Sequence, residues 1–430
     1  MTSPPPRDSL RSILRVALLA YRGNPHSGGQ GVYTRYLALE LTELGHEVEV
    51  LSGPPYPELD DLPIPLHRIQ SMDLYRPERP FRPHRWPRDR YDWLELGIMS
   101  TGAFCEPRPF SLRANAWLKA QGDRFDVVHD NQCLGTGMVK IAQRIPLVAT
   151  VHHPITVDKR LELADTRNPW RQFTKRRWYS FLGMQKRVLR KLPRLITVSE
   201  TSRGDIIEQL RVDPERIDVV PVGVDQEIFR PRPEIETVPG RILAVISSDV
   251  PLKGLAYLLE ALAKLRTEAP HAHLVVIGRM RPEDPGRRHV ARFGLEDAVT
   301  FTGNISYEEM IRLYGTAEIA VVPSLYEGFS LPAIQAMACG LPLVCTKVGA
   351  IPELAGTDGK TALHVESRDA GALAAGIKRA LDDPGLRARV GAAARERVLD
   401  KFTWAVMAKQ TVEQYRILLD RYASAGAGSC

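Results

Sequence analysis

The sequence predicts an α/β protein made of two doubly wound, mostly parallel sheets. Three observations carry this reading. Short β-rich apolar runs alternate with helix-patterned segments along the chain, as in βα units. The alternation restarts near residue 241. The chain has 430 residues, against roughly 150 for an ordinary domain.

The first series opens with the apolar run Leu14–Ala20. A glycine-rich turn follows, then Val32–Leu44 at helical spacing, which Gly45 stops as a glycine just beyond a helix does. Val48–Leu51, Phe125–His129, Leu147–Val151, Arg194–Val198 and Ile217–Val220 read as the next strands. Phe229–Gly240, rich in proline and charge, reads as a linker. The second series is Ile242–Ser247, Ala272–Ile277, Val299–Thr302, Ile319–Val322 and Leu343–Cys345, with helices such as Leu255–Arg266 and Ser306–Tyr314 between them. Domains are therefore expected at about 1–230 and 240–400, with a cleft between them. Ligands of such sheets sit beyond the carboxyl ends of the strands.

Two stretches break the rhythm. Residues 54–109, crowded with Pro, Arg and aromatic side chains, are too long for a βα loop and are expected to be an ordered insertion over the cleft. In Arg160–Arg194 basic residues interleave with Trp170, Phe173, Trp178, Tyr179 and Phe181. Aromatics at helical spacing usually pack on a core. The alternative is a basic helix resting peripherally on an anionic membrane, on its inner, cytoplasmic face.

Composition narrows the function classes. Hydrophobic residues at 44% and charged residues at 25% exclude a disordered or collagen-like chain. Lys plus Arg number 58 and Asp plus Glu 51, a net charge of +7 that suits an anionic ligand or surface. Nucleic acid is disfavoured, because no RNP, KH or helix-turn-helix pattern accompanies the basic residues. No apolar run approaches the ~18 residues of a spanning helix. The proline-rich start Met1–Asp8 lacks a leader pattern, and the five cysteines are scattered without a CxxC pair, as expected of a reduced cytoplasmic protein. No metal is implied, since there is no Asp-x-Asp triplet and no His/Cys cluster at ligand spacing.

Two segments carry chemistry. Ser27-Gly28-Gly29-Gln30-Gly31 lies between the first strand and a helix, where glycines admit an anion to free backbone N–H groups. It is not a GxGxxG motif, and Val50-Leu51-Ser52-Gly53 stands where a dinucleotide-binding carboxylate belongs, which counts against a dehydrogenase. The more specific segment is 317–354: strand, sharp turn, helix, strand, turn. Glu327 lies in the turn, Gly328, Phe329 and Ser330 offer amides before the helix, Pro332 suits its first turn, and Gln335 projects from it. A carboxylate beside such amides can grip sugar hydroxyls while the amides hold a phosphate.

This segment resembles the donor-binding signature of glycosyltransferase family 4, retaining enzymes of the GT-B fold that use nucleotide sugars. The resemblance extends through Gly28-Gly29-x-Gly31, Thr150-Val151-His152, Thr197-Val198-Ser199-Glu200, Gly223-Val224-Asp225, Pro251-Leu252-Lys253-Gly254, Val276-Ile277-Gly278, Phe301-Thr302-Gly303 and Glu327 to Glu353. It implies two Rossmann-like domains facing each other across a cleft, with a last helix, 401–422, crossing back to the first. It implies transfer of a hexosyl group to an unidentified glycan, lipid-linked or small acceptor, with no cofactor besides the donor. Amides at Gly29 and Gly31 would face donor and acceptor. His152, with adjacent His153 a weaker candidate, would lie near the donor sugar. Lys253 would neutralise the diphosphate. Glu327 would hold sugar hydroxyls, and the amides of Gly328, Phe329, Ser330 and Leu331 would hold sugar and phosphate.

Departures from the family pattern keep other readings open. Gln335 replaces the glutamate expected to hold the ribose diol, which keeps the hydrogen bonding but not the charge. Ser248 replaces an arginine, a lost phosphate contact of ~1.5–3 kcal/mol for which Arg279 is the candidate substitute. Val222 stands where an Asn is common. A non-catalytic sugar-nucleotide binder and a nucleotide-sugar epimerase of the same fold are the alternatives.

Overall fold

The computed structural model describes residues 13–24, 29–76, 81–83, 85–166, 168–246, 251–281 and 284–427. Contacts divide the chain into two units. The first comprises 1–198, 202–220 and 407–430; the second comprises 199–201 and 221–406.

The first unit holds seven strands: β1 (Arg15–Ala20), β2 (Glu47–Ser52), β3 (Leu66–Arg68), β4 (Val127–Asn131), β5 (Leu147–Val151), β6 (Arg194–Thr197) and β7 (Ile217–Val219). They form one parallel sheet in the order β3-β2-β1-β4-β5-β6-β7. The central strands β4, β5 and β6 are buried throughout, because helices cover both faces of a doubly wound sheet. Strand order reverses between β1 and β4, so the crevice for a ligand opens at their carboxyl ends.

The second unit holds β8 (Arg241–Val245), β9 (His273–Ile277), β10 (Val299–Phe301), β11 (Ile319–Val322), β12 (Leu343–Thr346) and β13 (Leu363–Val365). Their order is β10-β9-β8-β11-β12-β13, again parallel, with the reversal between β8 and β11. The fold class expected from the sequence is the one observed.

Residues 229–240, read as a linker, belong to the second unit. Phe229 is buried there, its ring edge-on to Tyr314 at 5.6 Å. The helix Trp404–Ala427 contributes its residues from Met407 onward to the first unit. There Tyr415 reaches His129, Gln414 reaches Arg194, and the Tyr422 hydroxyl donates to the Ala142 carbonyl at 2.7 Å.

The described residues of the insertion are built around buried charge. Its helix Arg90–Ser100 is capped by Asp89, which accepts from the N–H of Tyr91 and Asp92. Asp92 and Glu95 are fully buried on that helix; Arg113 pairs with both, and Arg85 pairs with Asp92. Removing one member of such a cluster leaves an uncompensated charge, at a cost of ~3–5 kcal/mol. Arg160–Arg194 is not one basic helix. It forms the helices Thr156–Asp165, Pro169–Trp178 and Leu182–Leu189, and Arg194 is a buried strand residue paired with Asp218. Trp178 and Phe181 pack on Phe104, whereas Trp170 and Phe173 stay 70% and 53% exposed. No helix among the described residues is long and apolar enough to cross a membrane.

Candidate active site

In the second unit the site grows from the two strands at the reversal. After β8 a short helical turn, Pro251–Lys253, ends at Gly254. Gly254 has φ +69°, and a Cβ there would lie 1.9 Å from the Pro323 carbonyl oxygen. Only glycine lets this loop lie against the chain leaving β11. The Leu325 N–H donates to the Leu252 carbonyl at 2.7 Å and seals the two loops together. Lys253 is thereby brought to Glu327: Nζ donates to Oε1 at 2.8 Å. The Ser324 hydroxyl donates to the same oxygen at 2.8 Å, while Oε2 is bonded by none of the described residues.

The helix after this turn, Leu331–Ala338, is capped by Ser330, whose Oγ accepts the Ala333 N–H at 3.4 Å. Glu327 is therefore not the cap. Its backbone carbonyl accepts the Ala350 N–H at 2.9 Å, and Gly349 is needed because a Cβ there would meet that oxygen at 2.2 Å. The Gly328 carbonyl accepts the Ser199 hydroxyl at 2.6 Å. Phe329 and Leu331 turn their side chains toward the core, which leaves the backbone of the turn as the polar element there. Gln335 is half-buried, and the buried Tyr314 hydroxyl donates to its Oε1 at 3.3 Å. Arg279 is exposed just beyond β9. Ser248 lies outside the described residues.

The first unit, taken by itself, carries its candidate residues at the ends of β1, β4 and β5. Gly29 precedes the helix Gln30–Glu43 with φ +72° and nothing near its missing Cβ, so its backbone conformation alone calls for glycine. Gly31 serves a different purpose: a Cβ there would strike the Asn24 carbonyl oxygen at 2.1 Å. Gly28 and Ser27, of the same loop, lie outside the described residues. His152 follows β5. Its Nε2 meets Asn131 Oδ1 at 2.7 Å, and the Tyr33 ring stands edge-on to it at 4.7 Å. Burial and the neighbouring His153 push its pKa down to about 3. His153 instead hydrogen-bonds Asp158 at 2.8 Å.

Three residues the motif reading passed over build this corner. Asp130 accepts the N–H groups of Cys133 and Leu134 at 3.3 and 2.8 Å, holding a turn in which Gln132 and Leu134 have φ +55° and +54°. That turn lets the Gln132 amide accept from the His152 N–H at 2.6 Å and donate to the His153 carbonyl at 3.1 Å. Asn131 then meets the imidazole. The available signal was the polar run Asp130-Asn131-Gln132 at the end of an apolar strand. Behind it His129 bonds Thr150 at 2.7 Å and the Tyr415 hydroxyl at 2.6 Å.

A carboxylate, an ammonium and helix-start amides at a strand-order reversal have the chemistry to hold a sugar joined to phosphate. Among the described residues no cluster of His, Cys, Asp and Glu is arranged to hold a metal ion. The family description "Glycosyltransferase Family 4" matches residues 27–228, and "Glycosyl transferases group 1" matches 226–397. An MMP alpha-(1->4)-mannosyltransferase of Mycolicibacterium hassiacum is 47% identical, over 96% of this chain and 100% of that one. The chain belongs to glycosyltransferase family 4. A D-inositol 3-phosphate glycosyltransferase of Frankia alni is 30% identical over 94% of this chain and 98% of its own. Among solved structures, sucrose-phosphate synthase from Thermosynechococcus elongatus superposes with a TM-score of 0.68 at 24% identity, covering 96% of this chain and 100% of that one, and so shares the GT-B fold. This family 4 chain is thus a glycosyltransferase that depends on a nucleotide sugar.

Proposed function

We propose that the enzyme transfers mannose, with retention of configuration, from a nucleoside-diphosphate donor to a methylmannose polysaccharide (MMP) type of glycan, forming an α-(1→4) bond. The observation that carries this reading is the 47% identity to an MMP alpha-(1->4)-mannosyltransferase over 96% of this chain and 100% of that one. In this reading the bond from sugar C1 to the diphosphate breaks and its electron pair leaves with the diphosphate. The acceptor oxygen bonds C1, and its proton passes to a diphosphate oxygen. The leaving charge meets Lys253, the amides of Gly328 to Leu331 and Arg279. Glu327 Oε2 accepts from sugar hydroxyls, and His152 lies beside the sugar. Gln335 meets the ribose.

The test is a matrix of GDP-, UDP- and ADP-sugars against α-(1→4)-linked mannose oligosaccharides, with product linkage and anomeric configuration read by NMR. A mannose-extended α-product supports the reading. Interconversion of two nucleotide sugars would replace it with the epimerase, and tight donor binding without turnover would replace it with a binding protein. Peripheral contact with an anionic membrane is the accompanying proposal. It is supported by Trp170 and Phe173, stacked at 5.5 Å and exposed beside the exposed Arg171 and Arg176.

A further inference from the structure

The amide of Asn131 has a single allowed orientation. Its Nδ2 lies 3.0 Å from the Gln30 carbonyl oxygen, which can only accept. Nδ2 also lies 2.9 Å from Thr34 Oγ1. That hydroxyl spends its own proton on the Gln30 carbonyl at 2.8 Å, so it too must accept from Asn131. Both amide protons are used, and Oδ1 is left facing His152 Nε2 at 2.7 Å. A carbonyl oxygen cannot donate, so Nε2 must carry the imidazole proton. No described residue bonds the other ring nitrogen, Nδ1.

We infer that Asn131 is a positioning residue: it locks His152 in the Nε2-protonated tautomer and presents the Nδ1 lone pair as an acceptor for a donor-sugar hydroxyl. The inference rests on the reading that places His152 at the donor sugar. The surroundings hold the ring in place as well as the proton. Gln132 clamps the backbone on either side of His152, and the Tyr33 ring limits rotation about χ2. Loss of the wrong partner matters because the two neutral tautomers of a free imidazole lie close in energy, and the outer hydrogen bond decides between them. In the other tautomer the Nε2 lone pair would face the Asn131 oxygen, a repulsive contact, and Nδ1 could no longer accept a hydroxyl proton.

The experiment combines long-range ¹H–¹⁵N correlation spectra of histidine-labelled enzyme with kinetics; His152→Gln assigns the signal. The wild-type ring should be neutral with its proton on Nε2. Asn131→Ala should give mixed tautomers and lower kcat/KM for the donor about tenfold, the worth of one hydrogen bond. Asn131→Asp keeps an acceptor opposite Nε2 but loses the donor to the Gln30 carbonyl, so it should lower Tm and yet keep the ring proton on Nε2, a separation that a merely structural role would not produce. A wild-type ring protonated on Nδ1, or an Asn131→Ala enzyme with the wild-type tautomer and rate, overturns the inference. An Nε2-protonated ring beside a fully active His152→Ala enzyme has a different meaning. It leaves the amide geometry standing and overturns the placement of His152 at the sugar.

Discussion

Lys253 and Glu327, 74 residues apart, form a direct ion pair at the carboxyl ends of β8 and β11, with Nζ 2.8 Å from Oε1. The glutamate side chain is 9% exposed and the lysine 32%, so the pair is partly desolvated and its oxygen is already shared with Ser324. Each residue thus holds the other in place before any donor arrives.

The two residues should fail differently when removed. In the proposed reaction the charge on the leaving diphosphate grows as the glycosidic bond breaks, so a lysine meeting it counts more in the transition state than in the ground state. Lys253→Ala should lower kcat/KM on the order of 10²-fold. Glu327→Ala should blur discrimination among donor sugars, while affinity for the bare nucleoside diphosphate survives or tightens as Lys253 is released. The double variant should cost less than the sum of the singles, because the pair is coupled. Thermal melts separate this from capping: Ser330→Ala should lose ~1 kcal/mol as a lost N-cap, and Glu327→Ala should not lose stability by that route.

Gly254 should be as sensitive as the lysine beside it. A Cβ there would lie 1.9 Å from a backbone oxygen, at a φ that side chains rarely adopt. Gly254→Ala should push the loop off the chain leaving β11, carry Lys253 away from Glu327, and lower both Tm and kcat. A variant with wild-type melting and wild-type turnover would show that the loop tolerates separation.

The strands of both sheets were legible because parallel strands buried on both faces read as continuous apolar runs. β3 and β13 escaped, since Leu66-His67-Arg68 and Leu363-His364-Val365 are each broken by a central histidine and make no apolar run, and their pairing comes from the neighbouring strand. Glu327 and Lys253 were visible as motif residues, but their ion pair was not, because the approach is made by Gly254 lying on Pro323, a tertiary contact. Asn131 and Gln132 were missed for a similar reason. Their roles depend on a left-handed turn at non-glycine residues, held by a buried Asp130, and the polar run Asp130-Asn131-Gln132 marks a strand end without showing the turn's hand.

Gln335 supplies a test of the departure from the family pattern. The Tyr314 hydroxyl donates to Oε1, which leaves the amide protons as the outward group. In the proposed reading a ribose diol meets a donor where a glutamate would offer a charged acceptor. Gln335→Glu should tighten nucleoside-diphosphate binding several-fold, as expected when a neutral hydrogen bond becomes charge-assisted. Tyr314→Phe should weaken it by freeing the amide to rotate. Calorimetric titration of the three proteins checks both, and an unchanged dissociation constant in Gln335→Glu would remove this residue from the ribose.

The membrane proposal narrows to Trp170, Phe173, Arg171 and Arg176, since Trp178, Phe181 and Arg194 are engaged within the first unit. Each basic side chain near an anionic surface contributes ~1 kcal/mol. Trp170→Ala with Phe173→Ala, and separately Arg171→Glu with Arg176→Glu, should each reduce co-sedimentation with phosphatidylserine vesicles. Retention of full vesicle binding by both double variants would sink the proposal.

His129 should make the first unit sensitive to acid. It is fully buried between Thr150 and Tyr415, and burial, with a smaller push from His152, lowers its pKa to about 3. The unfolded chain takes up this proton near pH 6.5, so between about pH 6.5 and 3 the unfolded state binds more protons than the folded one. Stability from this group is therefore full above pH 6.5 and lost as pH falls through that window. Two buried carboxyls act in the opposite direction. Asp130, raised to about 7, and Glu106, raised to about 8, hold protons in the folded state that the unfolded chain has released, so they favour folding as pH drops. The net profile is thus blunted, and the histidine shows only in a difference. His129→Gln keeps hydrogen-bonding atoms near Thr150 and Tyr415 but has no titrating ring. Subtracting its unfolding free energies from those of the wild type between pH 7 and 4 should leave a slope approaching ~1.4 kcal/mol per pH unit, with the wild type losing ground as acid is added. Parallel profiles for the two proteins would mean that His129 is protonated in the folded state, contrary to its place between two hydroxyls in a closed core.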